Sequence, residues 1–383
     1  MLFHLNAEHE MIKLMARDFA KRELEPLAAK RDQEEIFPLD VVKKMGQLGL
    51  LGMMVPVEYG GSGAGAVSYC LALQEIAYSC ATTAVTMSVA NLSTEPLLIF
   101  GDEAQKAKYL VKLAQGEMLG AFGLTEPGAG SDPGSMNLRA EERGDYFLVN
   151  GTKIFITHGE YADVINLIAR TGPEKGSKGL SAFIVEKGTP GFSIGSREDK
   201  MGLRASNTVE LLFEDCKVPR ENLLGKAGIG FKVAMIALDS GRIGIASQAL
   251  GIARACLDES ISYARERKQF GQPISSFQAI QWMLADMATG IEAAYFLTLS
   301  AAEKKDGGAP FTKESSMAKL FASELANKCA YLAVQIHGGY GYTKDFKVER
   351  LYRDARVTSI YEGTSEIQRL VIARELLKFK GSR

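Results

Sequence analysis

The chain has 383 residues, of which 46% are hydrophobic and 24% are charged, and its formal net charge at neutral pH is −1. This length allows two or three domains, and a net charge near zero excludes the strong field that draws proteins to nucleic acid or to anionic membranes. The five cysteines are scattered without a C-x-x-C pair, which is typical of reduced thiols in a cytoplasm-like compartment and argues against a disulfide scaffold or a zinc site.

The N-terminal segment lacks the features of a targeting sequence. It mixes acidic, basic and apolar residues at helical spacing, whereas a signal peptide has an apolar core and a transit peptide is poor in acids. No uninterrupted apolar run is long enough to span a bilayer. We therefore expect a cytoplasmic protein without membrane insertion, with a processed mitochondrial matrix form as the alternative.

Periodicity divides the chain into three regions. Residues 1–118 repeat apolar positions every three or four residues and are predicted to form an N-terminal helical domain. Residues 119–228 alternate between short apolar stretches and Gly/Pro-rich turns, which predicts a middle β-barrel or sandwich domain. Residues 229–383 return to long helical patterns and are predicted to form a C-terminal four-helix bundle. The fold class expected from this order is α+β.

Two local signals predict turns and caps inside these regions. Asn150-Gly151 is typical of a tight hairpin turn and predicts a β-hairpin over residues 146–156. Ser275-x-x-Gln278 fits a capping box and predicts a helix start. The last helix is predicted to begin at Thr364 or Ser365.

The segment GSGAGA at residues 61–66 formally fits the dinucleotide-binding pattern G-x-G-x-x-A. Pro56 interrupts the preceding run, and no acidic residue follows at the distance where the ribose would need one. A nicotinamide-dependent Rossmann oxidoreductase is therefore disfavoured. The four histidines show no metal-ligand spacing, so no metal site is predicted.

Three segments are open to two interpretations each. LTEPGAGSD at residues 124–132 is either a domain connector or a loop whose glycines and hydroxyls approach a ligand. Arg267 ends a long helix, where the helix dipole favours a cation, but together with Gln269 it would also suit a pyrophosphate. Glu362 lies just before a helix start and could be a capping carboxylate or a base. Glu366 could cap that helix equally well.

These segments together resemble the acyl-CoA dehydrogenase flavoprotein family, and most closely its short-chain, butyryl-CoA-type members. The resemblance covers essentially the whole chain. It is carried, in order, by FGLTEPGAGSD (122–132), KIFITHG (153–159), DKMGLRAS (199–206), LDSGRI (238–243), RKQFG (267–271), QIHGGYG (335–341) and IYEGT (360–364). Two departures are an aromatic exchange at Phe155, where tryptophan is common, and His158, where asparagine is common.

The resemblance implies FAD as cofactor, and it implies that the pyrophosphate and adenosine are held by the neighbouring subunit of a dimer. The implied FAD contacts are Phe122, Leu124, Thr125, Gly130, Ser131, Phe155, Ile156 and Thr157 around the isoalloxazine, Arg267, Gln269, Phe270, Phe277 and Gln278 around the pyrophosphate and adenosine, and Gln335, Gly338, Gly339, Thr364 and Glu366, which complete the site.

The resemblance also implies an acyl-CoA site, formed by Ser131, Asp239, Arg242, Tyr361, Glu362 and Gly363. Glu362 is implied to remove the α-proton while a hydride leaves the β-carbon for flavin N5, giving a trans-2-enoyl-CoA. Some members place this base on the long helix instead, at the position of Gly241, where glycine leaves Glu362 as the candidate. We expect loss of water around bound substrate to raise the pKa of Glu362.

The particular acyl group is less determined than the chemistry. The helix over residues 83–99 carries no arginine to bind a second carboxylate, and its only charge, Glu95, is expected to repel one. A short linear acyl-CoA is favoured, with a branched or alicyclic group, or an acyl-CoA oxidase, as alternatives. The implied partners are an electron-transferring flavoprotein as electron acceptor and further copies of the chain in a homotetramer.

Overall fold

The structure, a computed structural model, describes residues 5–174 and 176–377. The N-terminal domain is helical, as predicted, and two of its helices are almost entirely buried. Its elements are α1 Ala7–Phe19, α2 Glu25–Glu34, α3 Leu39–Gln47, α4 Gly65–Ser79, α5 Ala81–Phe100, α6 Glu103–Gln105 and α7 Val111–Ala114, with π-helical turns at Ala20–Leu24 and Lys106–Leu110. Among the described residues, none of the helices combines the length and the apolar character needed to cross a bilayer.

The middle domain is one eight-stranded mixed sheet. Its strands are β1 Gly120–Gly123, β2 Arg139–Arg143, β3 Tyr146–Thr157, β4 Val164–Arg170, β5 Leu180–Glu186, β6 Phe192–Arg197, β7 Thr208–Pro219 and β8 Leu223–Leu224. The strand order is β6-β7-β3-β2-β4-β5-β8, and β1 lies parallel to β4. Alternate residues of β4 point into two different apolar clusters, one inside the domain and one shared with α5, α7 and the long helix α8, Gly230–Glu266. This strand is therefore buried on both faces.

The predicted hairpin over residues 146–156 is wrong, because β3 runs through it as a single strand. Asn150 and Gly151 lie at a register shift against β7, and Gly151 has a φ of 138°. The Asn150 side chain accepts a hydrogen bond from the backbone N–H of Asp215 at 2.8 Å. The Asn-Gly pair therefore forms a β-bulge, since its positive φ serves an irregular strand as well as a turn.

The C-terminal domain consists mainly of helices. These are α8 Gly230–Glu266, α9 Gln278–Asp306, α10 Thr312–His337, α11 Lys347–Arg356 and α12 Ser365–Leu377. They pack around α10, which contacts α8, α9, α11 and α12. A two-stranded ribbon, β9 Lys268–Gln269 and β10 Gln272–Pro273, joins α8 to α9.

The predicted capping box at the start of α9 is wrong. Ser275 lies in a 3₁₀ turn, and Phe277, which has no side chain able to cap, precedes the first helical residue, Gln278. The Ser275 carbonyl instead accepts a hydrogen bond from Gln281. The predicted start of the last helix is confirmed, because α12 begins at Ser365.

Helix α11 joins all three domains at one point. Arg353 forms ion pairs with Asp32 of α2 and with Glu349, both at 2.8 Å, and donates to the backbone carbonyl of Met201 at 3.3 Å. The neighbouring Asp354 accepts the backbone N–H of Leu203 at 2.6 Å. This junction fixes the chain that leads into Glu362.

Candidate active site

Glu362 lies in a strained turn between a short 3₁₀ helix, Val357–Ser359, and α12. Glu362 and Gly363 have φ values of 53° and 88°, so two consecutive residues lie in the left-handed region. This conformation costs about 1–2 kcal/mol for a residue with a side chain. Gln368 of α12 stabilises the turn by donating to the carbonyl oxygens of both residues, at 3.0 and 2.9 Å. Strain held in this way is characteristic of functional sites.

The turn places the Glu362 carboxylate directly over Gly241 of α8. A Cβ atom at position 241 would lie 2.6 Å from Oε2 of Glu362. Glu362 keeps part of its surface exposed, but Oε2 itself is buried and has no hydrogen-bond partner among the described residues. A buried carboxylate oxygen without a partner is free to accept a proton from a ligand.

Burial raises the pKa of Glu362 to about 7, while Arg242 and Lys319 oppose the rise. We expected bound substrate to be needed for this effect, but the chain alone already removes enough water. A carboxylate with a pKa near 7 is a far better base at neutral pH than a solvated one, and half of it remains ionised at that pH.

Two of the predicted substrate contacts pair with each other beside this carboxylate. Arg242 is buried and forms an ion pair with Asp239, whose other oxygen accepts a hydrogen bond from Thr312 at 2.6 Å. Burial lowers the pKa of Arg242 and raises that of Asp239. The Tyr361 hydroxyl donates to the side-chain oxygen of Gln248, so its ring rather than its hydroxyl remains for substrate.

Helix α12 is capped by Thr364, with Glu366 in a secondary role and Glu362 in none. The N–H of Ile367 donates to the Thr364 hydroxyl at 3.3 Å, so Thr364 is the capping residue. Glu366 is exposed in the first turn, where a backbone hydrogen bond and Thr364 lower its pKa. Glu362 therefore has no role in capping, and the alternative of a capping carboxylate is wrong.

The residues assigned to the isoalloxazine lie in and near β1 and β3. Phe155 has a φ of 58° at a second register shift of β3 and is 58% exposed, which presents an aromatic face for stacking. Gly130 has open space where a side chain would be, and Ser131 is exposed. Ile156, by contrast, is buried in the core of the middle domain, so only its backbone is available to a cofactor.

His158 is a fully buried structural residue at the end of this segment. Its Nδ1 atom lies 3.1 Å from the Gly120 carbonyl of β1, and its ring contacts Phe37 edge-on. Burial lowers the pKa of His158 to about 4. The histidine is therefore neutral at physiological pH and joins β1 to the end of β3.

The residues assigned to the FAD pyrophosphate and adenosine meet at a separate cavity of about 530 Å³. The guanidinium of Arg267 lies 5.5 Å from the centre of the Tyr340 ring, and no side chain restricts approach to Gly338 or Gly339. An arginine, exposed glycine backbone and aromatic rings together suit a pyrophosphate and an adenine. The lining residues are Tyr263, Arg267, Gln269, Ile274, Ile336, His337, Gly338, Gly339, Tyr340 and Thr343.

The other predicted residues of this group do not line the cavity but lie close to its lining residues in sequence. Phe270 is almost fully exposed and packs edge-on against Phe277, and Gln278 and Gln335 are exposed nearby in sequence. The cavity is far from Glu362, because Gly241 and Glu266 are separated by 25 residues of the single helix α8. At 1.5 Å per residue this corresponds to about 37 Å.

Three residues of the site were not found from the sequence. Lys319 of α10 is fully buried and donates to the Gly363 carbonyl at 2.6 Å, while Gln368 and Gln248 bond to the turn and to Tyr361. The one sequence signal for a buried Lys319 is that the residues three and four positions away on the same helix are serine or alanine. The structure shows that these neighbours are also buried. Glutamines carry no such signal.

Glu95 of α5 does not carry a free charge. It accepts hydrogen bonds from Lys305 at 2.6 Å and from Ser240 at 2.8 Å. The expected repulsion of a second substrate carboxylate is therefore weaker than the sequence indicated. The described residues contain no group of three or more possible metal ligands.

All three domains match domain families of one enzyme class. The N-terminal, middle and C-terminal domain families of acyl-CoA dehydrogenases match residues 6–117, 121–216 and 228–377. The acryloyl-CoA reductase (NADH) of Anaerotignum propionicum is 52% identical over 98% of this chain and 96% of its own length. The mitochondrial short-chain specific acyl-CoA dehydrogenase of Rattus norvegicus is also 52% identical, over 97% of this chain and 90% of its own.

Solved structures agree with these matches. Butyryl-CoA dehydrogenase from Megasphaera elsdenii has a TM-score of 0.97 at 46% identity, over 98% of this chain and all of its own. A chain from the structural work on the electron transferring flavoprotein of Acidaminococcus fermentans and flavin-based electron bifurcation has the same TM-score at 49% identity, over 99% of this chain and all of its own. This chain therefore belongs to the acyl-CoA dehydrogenase family and is a flavoprotein oxidoreductase with FAD as its cofactor.

Proposed function

We propose that this enzyme converts a short-chain acyl-CoA into the trans-2-enoyl-CoA, with Glu362 as the base that removes the α-proton. The observation that carries the proposal is the buried, unpartnered Oε2 atom on a strained turn. It explains why a glutamate occupies a left-handed position and why α8 has a glycine opposite. FAD, when bound, supplies the acceptor for the β-hydride at flavin N5.

The chain's own residues prepare the proton transfer in three ways. Oε2 of Glu362 takes the α-proton, and burial keeps its affinity for that proton high. The backbone N–H of Glu362, on the same turn, donates to the thioester oxygen as negative charge develops there, which is typically worth about 3–4 kcal/mol. The closed ion pair of Arg242 with Asp239 adds a dipole next to the carboxylate without adding net charge.

The proposal is tested by Glu362→Gln, which is close in shape but cannot act as a base. We expect the variant to bind FAD and butyryl-CoA normally, and to lose bleaching of the flavin absorbance band under anaerobic conditions. The Tyr361→Phe variant, which retains the ring, serves as a control and should still bleach. Near-normal bleaching by Glu362→Gln would remove Glu362 as the base.

A panel of thioesters decides the acyl group. Helix α5 has no arginine over residues 83–99, so a dicarboxylic acyl-CoA is not proposed. Bleaching with butyryl-CoA supports the short linear substrate. Bleaching only with branched or cyclohexane-carboxyl thioesters would show that the substrate is one of these, with the same mechanism of dehydrogenation. Rapid reoxidation of the reduced enzyme by air would favour an oxidase instead.

The second candidate function is reduction of a short enoyl-CoA, and it is favoured by the 52% identity to an acryloyl-CoA reductase. In this direction Glu362 donates a proton to the α-carbon, for which a pKa near 7 is equally suitable. Anaerobic incubation of the enzyme with NADH, purified electron-transferring flavoprotein and acryloyl-CoA decides it. Formation of propionyl-CoA supports the reductase, and no product in the presence of active FAD-bound enzyme refutes it.

We also propose that each FAD is shared between two chains of a homotetramer. The cavity around Arg267 and the carboxylate of Glu362 lie about 37 Å apart along α8, which is longer than an extended FAD. The C-terminal helices also leave large apolar side chains exposed, as expected of surfaces between subunits. These include Trp282, Met317, Phe321, Tyr331 and Leu370.

Mixing two inactive variants tests the shared site. Arg267→Ala damages the pyrophosphate end and Glu362→Gln damages the base, so a mixed dimer contains one site with both residues intact. Denaturing and refolding the two variants together with FAD should restore part of the activity, whereas each variant refolded alone stays inactive. No recovery in verified mixed oligomers would place Arg267 and Glu362 in the same site of one chain.

An electron-transferring flavoprotein is the proposed electron acceptor, supported by the likeness to a chain from the Acidaminococcus fermentans flavoprotein study. Stopped-flow measurement of the rate at which purified electron-transferring flavoprotein reoxidises the substrate-reduced enzyme tests this proposal. A rate no faster than reoxidation in buffer alone would refute it.

We propose a cytoplasmic location, in keeping with five buried, unpaired cysteines.

A further inference from the structure

Lys319 is the one lysine of α10 whose side chain is completely buried, and its position is at the centre of the candidate site. Its Nζ atom donates to the carbonyl oxygen of Gly363 at 2.6 Å. Within the described part of the chain no carboxylate lies within 4.0 Å of this Nζ atom. Burying an ammonium group without a carboxylate partner costs free energy, which a hydrogen bond to one carbonyl does not fully offset.

The charge of Lys319 interacts with the carboxylate of Glu362. Among the interactions that raise the pKa of Lys319, the one with Glu362 is the largest, and Lys319 in turn opposes the rise in the pKa of Glu362. Burial lowers the pKa of Lys319 to about 8, so its ammonium form still predominates at pH 7. The two groups are therefore a buried cation and a buried carboxylate that stabilise each other without touching.

The other charged groups around Glu362 are already paired or distant. On α8, Arg242 is neutralised by Asp239, and on α5 Glu95 is paired with Lys305. From α4, Tyr69 is fully buried, and burial keeps its pKa far above neutral, so it carries no charge. Glu366 of α12 is exposed to solvent, and Tyr361 is bonded to Gln248. Arg242 and then Lys319 are the two positive charges that lower the pKa of Glu362, and among the described residues Lys319 is the one of the two without a carboxylate partner.

The hydrogen bond of Lys319 also acts on the geometry. Gly363 follows Glu362 in the left-handed turn, and its carbonyl is held from two sides, by Lys319 of α10 and by Gln368 of α12. The two donors come from different helices, so together they fix the direction of the peptide that follows the base. Loss of either donor would let the turn relax towards less strained φ values.

We propose that Lys319 is a positioning residue for the α-proton transfer: its ammonium group fixes the Gly363 carbonyl, and its buried charge keeps the Glu362 carboxylate ionised. The inference rests on the proposed function, since it assigns Lys319 a role towards the base named there. It predicts two separable effects, one of charge and one of the hydrogen bond.

Three variants separate these effects in the pH profile of kcat/KM with butyryl-CoA. Lys319→Gln keeps an N–H donor for Gly363 but removes the charge, so the acid limb should move up by about one pH unit with little change in the plateau. Lys319→Met removes both, so the plateau should also fall by about tenfold or more. Lys328→Met on the same helix, where the lysine is 60% exposed, is the matched control and should change neither.

Bound FAD per chain and thermal midpoints are measured for each variant, so that a folding defect is recognised. An unchanged acid limb in folded Lys319→Gln overturns the charge role, and an unchanged plateau in Lys319→Met overturns the positioning role. If Glu362→Gln is inactive while the Lys319 variants behave as wild type, this inference alone fails. If Glu362→Gln remains active, the proposed function fails.

Discussion

Replacing Gly241 by alanine tests the placement of the base more directly than changing the base itself. The added Cβ would lie 2.6 Å from Oε2 of Glu362, whereas carbon and oxygen atoms in ordinary contact are about 3.5 Å apart. The carboxylate must therefore retreat by roughly 0.9 Å. A displacement of about 1 Å at a reacting group costs on the order of 100-fold in rate, or about 2.7 kcal/mol of activation free energy.

Stability should move in the opposite direction. The clash is with the end of a side chain that can move, and alanine favours a helix interior over glycine by about 0.5–1 kcal/mol. Gly241→Ala is therefore expected to be about 100-fold slower in anaerobic flavin bleaching, with an unfolding free energy unchanged or slightly raised. Rapid mixing with butyryl-CoA measures the rate of flavin bleaching. Urea denaturation measures the free energy of unfolding.

Gly251→Ala is the matched control, because it makes the same change ten residues further along α8. There the added Cβ would lie 2.5 Å from the backbone carbonyl oxygen of Gln74, which cannot move aside. This variant should lose about 1–3 kcal/mol of stability, while its folded fraction reacts at the normal rate. A Gly241→Ala enzyme that retained FAD and reacted within about threefold of the wild type would refute the placement of Glu362 over Gly241.

Three further predictions follow from buried titratable groups. Because the base must be ionised and burial raises the pKa of Glu362 to about 7, kcat/KM of the wild type should fall as the pH drops below about 7, and a pH-independent rate between pH 5.5 and 8 would contradict this. Burial raises the pKa of Asp354 to about 7, so the native state holds this proton more tightly than the unfolded chain, and the stability it contributes is lost as the pH rises from about 4 to about 7. Asp354→Asn should flatten that slope in urea titrations, and an identical slope in the two proteins would exclude the effect. His158→Ala leaves a cavity and an unpaired Gly120 carbonyl and should cost about 2–4 kcal/mol of unfolding free energy, whereas His158→Asn, which retains a donor, should cost less; equal losses would contradict the role of the hydrogen bond.

Periodicity was a good guide wherever a helix or strand is long and regular. The helical N-terminal domain and the long helices of the C-terminal domain were predicted because their apolar positions recur at helical spacing over many turns. The Ser275 cap failed because a 3₁₀ turn precedes the helix, which begins three residues later, and the Asn-Gly hairpin failed because its conformation depends on a partner far away in sequence. Asn150 bonds to Asp215, which is 65 residues away, and no local pattern contains that information.

The candidate active site likewise contains residues that the sequence predicted and residues that it did not. Glu362 was a candidate because its motif is local and because Gly241 left it without a competitor. Lys319 was missed, since a lysine within a helix is normally solvated, and its burial becomes visible only when the Gly363 turn folds back against α10. Ile156 was assigned to the cofactor by its neighbours in the motif, although its side chain packs in the core of the middle domain beyond a register shift of β3.

The contact of Arg353 with Asp32 joins residues 321 positions apart and closes almost the whole chain into a loop. Contacts of such long range form late in folding, because the chain must first lose the entropy of closing the loop. Glu362 follows this junction by nine residues and is held by helices from the end of the chain. The apolar core of the N-terminal helices also contains residues of α8, α9 and α10, so this core is completed only by the C-terminal helices. During synthesis, the core and the catalytic base are therefore completed together, when the last helices have docked.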